Sequence, residues 1–309
     1  MFWIASMTKP ITGTAVLMMQ EEGLLSVNDP VAKYLPEYAN LKDAAGNPAV
    51  ITIAQCLTHT SGLSELLPEE LKECSKLADL VPRIVAKPVK FPPGSKWEYC
   101  QTSINTVARI VEVLSGKAYQ EFLQDRLFTP LGMKDTTFYP TEAQIARLAT
   151  SYRLESSNEI KPAVLKFLNG SPPASKDRAP LASGGLFSTA VDYAKFAQMI
   201  LRGGEVGGKR FLSEGSVKQM TTNQSGELTT GFTPGNAWGL GWGIVREPQG
   251  VSAALSRGSF GHGGAYGTQV WIDPVKDRVY LLMIQRADMG NSDASDMRRD
   301  FQNAATAKP

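Results

Sequence analysis

The chain has 309 residues, with 32 Lys and Arg against 30 Asp and Glu, a formal charge of +2. That near balance without basic runs excludes an electrostatic nucleic-acid binder, and 42% hydrophobic with 20% charged residues excludes a disordered chain. Cys56, Cys74 and Cys100 form no CxxC pair and His59 and His262 no HExxH spacing, so no disulfide framework, metal site or cofactor is expected, and scattered thiols suit a reducing compartment.

The first long uncharged stretch, residues 10–20, is too short to span a bilayer, which takes about 20 apolar residues. Glu21 and Glu22 follow it directly, with no small-residue cleavage site. The chain as it stands therefore reads as cytoplasmic, and as periplasmic or secreted if its N-terminus is truncated. Ile11, Ala15, Met18 and Met19 instead predict a helix over 7–23, with Ser6 at its N-terminal edge and Gly23 at its stop.

Residues 27–38, with Asp29-Pro30 and Leu35-Pro36, predict a loop holding a short helix. Helices follow over 52–57 and 69–86, a turn-rich connection over 88–94, a strong amphipathic helix over 103–114 closed by Gly116, and a shorter one over 119–128 closed by Pro130. Residues 140–182 have no firm periodicity and read as irregular. A helix over 192–201, with Ser188-Thr189 as cap, stops at Gly203-Gly204. Strands are expected over 238–245, 268–273 and 278–284, the last two joined as a hairpin, then a polar helix over 292–305. The fold class is α+β: a mostly helical region over 1–234 and an antiparallel sheet region with a C-terminal helix over 235–309.

Ser6 and Lys9 stand three residues apart at the start of a helix, so their side chains share a face. A serine needs an adjacent base, and a lysine serves only if its pKa falls from about 10.4. The helix N-terminus adds free N–H groups where an oxyanion would form. Farther on come Tyr99-Cys100-Gln101 and Gly261-His262-Gly263-Gly264, the latter expected between strands of the sheet. No G-x-S-x-G elbow occurs, since Arg257 stands two residues before Ser259. His59 reads as structural, tying down a helix end. Cys100 reads as a buried thiol, and Trp238, Trp242 and Trp271 as core or cleft wall.

The order SxxK, YxN-like, HxG resembles the penicillin-recognising serine hydrolases: class C β-lactamases, DD-peptidases and family VIII carboxylesterases. Asp29-Pro30-Val31, Leu57-Thr58-His59-Thr60-Ser61-Gly62-Leu63 and Ser183-Gly184-Gly185-Leu186-Phe187-Ser188-Thr189 are similar to segments of the same family. The resemblance implies the β-lactamase/transpeptidase-like fold, with Ser6 as the acylated nucleophile. Lys9 and Tyr99 would share the base role, the ammonium keeping the phenol's proton affinity low. The oxyanion hole would be the amides of Ser6 and of Ala265, placed on the strand after the HGG stretch. Gln101, His262, Gly263 and Gly264 would bind substrate, the two glycines letting it approach the backbone.

Two departures turn the expected substrate toward a short-chain acyl ester, with weak β-lactam hydrolysis at most. Gln101 stands where the family has Asn, and His262 where many members have a lysine to anchor a carboxylate. A class C-type β-lactamase or D-alanyl-D-alanine carboxypeptidase is the alternative, and a silent penicillin-binding-like module is disfavoured by retention of Ser6, Lys9 and Tyr99. The family also places two strands ahead of its SxxK helix, whereas Ser6 is nearly terminal here. An open edge at the strand over 278–285 is therefore expected, covered by self-association into a homo-oligomer, by a swapped segment or by residues from Ser292 onward.

Overall fold

A computed structural model describes residues 1–168 and 170–307; Asn169, within the stretch expected to be irregular, and residues 308–309, at the chain end, lie outside the described residues. The chain opens with a two-residue strand β1 (Phe2–Trp3), a single 3-10 turn at Ala5–Met7, and helix α1 (Thr8–Glu21). Every residue of α1 from Thr8 to Met19 is buried. Fully burying each Ile, Leu or Met there contributes about 1.5–3 kcal/mol, so α1 is the axis around which the rest packs.

Helix α2 (Ile53–Leu57) begins at a reciprocal cap: Thr52 Oγ1 accepts from the Gln55 amide at 3.2 Å, and Gln55 Oε1 accepts from the Thr52 amide at 2.9 Å. Such a cap is worth about 1 kcal/mol. Helix α3 (Gln101–Ser115) runs against α1 and ends at Gly116, whose φ of +67° suits glycine. Strand β2 (Phe187–Ser188) pairs antiparallel with β1, and helix α4 (Ala190–Leu201) starts with Thr189 accepting from the Asp192 amide.

The main sheet is an antiparallel meander of β3 (Asn236–Trp238), β4 (Gly243–Val245), β5 (Phe260–Gly263), β6 (Gln269–Asp273) and β7 (Arg278–Leu282), each strand hydrogen-bonded to the next. Helix α5 (Asp296–Thr306), capped by Ser295, covers one face through Phe301 and Ala305 beside Trp271 and Tyr280. On the other face Val270 and Ile272 join the main core, which also contains Ile4, Ile11, Ile104 and Phe196. Strands β7 and β3 are the two edges of the sheet among the described residues. No helix of the described residues is long and apolar enough to cross a membrane.

Several elements differ from expectation. The helix expected over 69–86 is broken into Pro68–Lys72, Leu77–Leu80 and Val81–Val85, because Asp79 Oδ2 accepts from the Ser75 and Lys76 amides and starts a new turn. Pro82 fits there only because it lies in a first turn, where its missing N–H costs nothing. The segment from Tyr119 continues through a π-helical stretch, Gln124–Phe128, and past Pro130 to stop at Gly132, φ +66°. The irregular stretch contains a capped turn, Glu142–Ile145, and an exposed hairpin of Tyr152–Leu154 with Ile160–Pro162. The strand expected over 238–245 is the hairpin β3–β4: Gly241, at φ +84°, turns the chain where a Cβ would stand 2.8 Å from the Lys9 carbonyl oxygen. His262 and Gly263 of the HGG stretch lie on strand β5 rather than in a connection, and Gly264 follows its end.

Candidate active site

Ser6 lies in the turn immediately before α1, and Ala5 ahead of it has φ +46°, a left-handed conformation that costs a non-glycine residue of order 1 kcal/mol. The turn is locked from several sides. Ile4 N donates to the Leu186 carbonyl at 3.0 Å, Thr8 Oγ1 to the Ala5 carbonyl at 2.7 Å, and Thr268 Oγ1 to the Ile4 carbonyl at 3.3 Å. Helix α1 and the turn joining β5 to β6 thus hold one serine, half-buried, between them.

One helical turn on, the Lys9 amine is fully buried. It donates to Ser6 Oγ at 3.0 Å, Gln101 Oε1 at 2.7 Å and the Ser183 carbonyl at 2.6 Å. Its ammonium form loses hydration in this place, and the pKa falls from 10.5 to about 7 despite the carboxylates of Glu65 and Asp293. Tyr99 arrives on the segment just before α3, its ring face 4.5 Å from the Lys9 nitrogen. Burial pushes the Tyr99 phenol well above its ordinary 10, opposed by its hydrogen bond with the Ser6 side chain. The sequence has the two groups share the base role, and burial bears on them differently, favouring the protonated phenol and the neutral amine.

Tyr99 is held in an aromatic cluster, with His59 at 4.3 Å, Phe232 at 4.5 Å and Trp238 at 6.0 Å between ring centroids. His59, at φ +61° just past α2, accepts from the Cys100 amide at Nδ1 (3.1 Å), so it ties down the Tyr99 segment. Burial holds its pKa well below 6.5. Cys100 is buried and its thiol is pushed up to about 12, as suits a packing group.

On the sheet side, His262 is buried on β5, its Nδ1 2.7 Å from the Gly263 carbonyl oxygen, with its pKa driven down to about 3 by burial and then by Lys9. It is a neutral imidazole across the working range. The glycines beside it leave room for the protein's own atoms. A Cβ on Gly264 would overlap Thr268 Oγ1 and stand 2.6 Å from the Ile4 carbonyl oxygen, and one on Gly263 would overlap the Asp293 carboxylate. Ala265 lies in the turn after β5, not on the strand. It is exposed, lines the same cavity as Ser6, and its amide donates to no backbone carbonyl among the described residues.

That cavity, of about 300 Å³, has apolar walls from Trp3, Leu66, Leu71, Phe167 and Leu181, and carries Glu65 and Gln101. A larger groove of about 760 Å³ lies between charged side chains such as Lys76, Arg109 and Lys117, and touches none of the candidate residues. Four contributors escaped sequence reasoning: the Ala5 conformation, the Ser183 carbonyl, Glu65, and Asn105, whose Oδ1 accepts from the Ser183 amide at 3.0 Å. Only Ser183 had a signal, its place in the SGGLFST segment.

The beta-lactamase family model matches residues 1–305. Protein Rv1367c of Mycobacterium tuberculosis is 33% identical over 333 residues, covering 96% of this chain and 80% of that protein. Esterase EstB of Burkholderia gladioli is 26% identical over 322 residues, covering 94% and 79%. The solved structure of EstCE1, described as a hydrolase with promiscuous acyltransferase activity, matches with a TM-score of 0.80 and 21% identity over 99% of this chain and 84% of that one, which shows a common fold.

Proposed function

Since the chain belongs to the beta-lactamase family of serine hydrolases, we propose that it is a carboxylesterase that hydrolyses short-chain acyl esters through an acyl-enzyme on Ser6. The observation that carries this reading is the buried Lys9 amine, with a pKa of about 7, at 3.0 Å from Ser6 Oγ. A large fraction of that amine is neutral near pH 7, so it can take the hydroxyl proton as the oxygen attacks an ester carbonyl. The developing oxyanion is met by the amides of Ser6 and Ala265, both on the cavity. The leaving alkoxide receives its proton from the Lys9 ammonium by way of the Tyr99 hydroxyl, which stays protonated between transfers. Water then attacks the acyl group, the amine accepts its proton, and Ser6 recovers a proton as it leaves.

Esters are favoured over β-lactams because the carboxylate of a β-lactam would find a neutral His262 where a lysine would have held it. The test is hydrolysis of p-nitrophenyl butyrate beside a chromogenic cephalosporin, with mass spectrometry after a fluorophosphonate. We expect the adduct on Ser6 and a loss of about 10⁴-fold or more in kcat for Ser6→Ala. An adduct elsewhere, or a faster cephalosporin, overturns the reading.

A further inference from the structure

We infer that Glu65 is a specificity-determining residue that restricts this site to uncharged acyl groups and turns away those carrying a carboxylate. The inference deepens the esterase reading and rests on it. Glu65 lines the cavity that opens at Ser6, whose other walls are mostly apolar, and no lysine, arginine or histidine is among the described residues lining it. An acyl chain extending from Ser6 therefore finds apolar contact and one carboxylate.

The carboxylate cannot easily swing away. It accepts from the Gln101 amide at 2.5 Å, the Thr102 amide at 3.0 Å and Thr102 Oγ1 at 2.9 Å, so the first turn of α3 fixes it. Those bonds also use up donors that could otherwise have received an anionic substrate. The second carboxylate near the site, Asp293, lies against Gly263. A guanidinium close to it, Arg298, stacks on Trp271 at 3.8 Å, donates to the Asp293 carbonyl and Ser252 Oγ, and is already engaged with the Asp293 charge. The field of both carboxylates reaches Lys9 and Tyr99. An acyl group ending in a carboxylate would lose hydration in the cavity and meet like charge, with no cation among the described residues lining the cavity to pair with it.

The test compares p-nitrophenyl butyrate with p-nitrophenyl hemisuccinate, whose acyl chain has the same length and ends in a carboxylate. The wild-type kcat/KM should favour butyrate by about tenfold or more, and Glu65→Gln, which keeps an acceptor for α3 and removes the charge, should narrow that ratio about tenfold. Rising ionic strength should narrow it in the wild type as well, a measurement that decides the matter if the variant does not fold. Equal use of the two esters by the wild type, or a ratio unmoved by substitution and salt, overturns the inference and leaves the esterase reading standing. Hydrolysis of neither ester overturns that reading and this inference with it.

Discussion

On the helical side of the cleft the Lys9 amine has three acceptors and Glu65 three donors, whereas on the sheet side His262 Nε2, Trp238 Nε1 and Asp293 Oδ1 are buried without a partner among the described residues. Hydrogen bonds on the first side fix where protons sit. The second side offers backbone and shape: strand β5, a turn with a free amide at Ala265, and glycines crowded by neighbouring atoms. The difference teaches that side-chain chemistry is concentrated on the helical side of the cleft, while the sheet is sensitive mainly to volume.

Four measurements would break or sharpen that contrast. The largest effect is expected on the helical side, where Lys9→Ala and Tyr99→Phe should each lower kcat by about 10²–10⁴-fold, and the double variant by little more than the worse single one. A double variant as weak as the product of the singles would mean that the two groups work separately. Next, Gly264→Ala should cost about 1–3 kcal/mol of stability by overpacking the Ile4 carbonyl and Thr268, with a lowered Tm and a loss of activity. A variant that melts and turns over like the wild type would show that the turn before α1 is looser than its hydrogen bonds imply.

The third concerns pH. Activity should rise as pH passes about 7, since Lys9 must be neutral to accept the serine proton. Its folded pKa lies below the unfolded value of 10.5, so the unfolded chain binds more protons between those limits, and stability from this group increases with pH across about 7 to 10.5. The Tm difference between wild type and Lys9→Met should therefore move in favour of the wild type from pH 7 to pH 10. A constant difference would place the amine's pKa near its ordinary value. The smallest effect is expected for His262→Asn, with kcat/KM within about tenfold and the acid limb unmoved, since the imidazole is already neutral. A displaced limb would bring the sheet side into the proton chemistry.

What was legible in the sequence was what is local. Ser6 and Lys9 share a helix face, so spacing alone brings them together, and the stops of α1 and α3 at Gly23 and Gly116 and the Thr189 cap of α4 are written within a few residues of their ends. Tyr99 and His262 were found through the order of motifs, not through any local pattern. The division of roles between Lys9 and Tyr99 was beyond reach because it depends on burial by segments distant in the chain: the carbonyl that receives Lys9 belongs to Ser183, 174 residues away. The hairpin β3–β4 was missed for a similar reason. Its tryptophans, leucine and valine hide a turn at Gly241, which has a positive φ and approaches the Lys9 carbonyl of a distant helix. Glu65 carried no signal at all, since it acts on the amides of a helix that begins 36 residues later.

Of the chain's five tryptophans, three stand at the cleft: Trp3 stacks on Phe167 at 4.3 Å in the cavity wall, and Trp97 and Trp238, 5.3 Å apart, flank Tyr99. Trp242 lies in the core, and Trp271 packs behind the sheet side beside His262 and Trp238. Indole emission responds to nearby polarity and to stacking partners, and Trp3 lines the cavity in which an acyl group is proposed to lodge. Trp3 emission is therefore expected to change when the cavity fills, so that formation and decay of the proposed acyl-enzyme would be read as two phases, without a label or a coloured substrate.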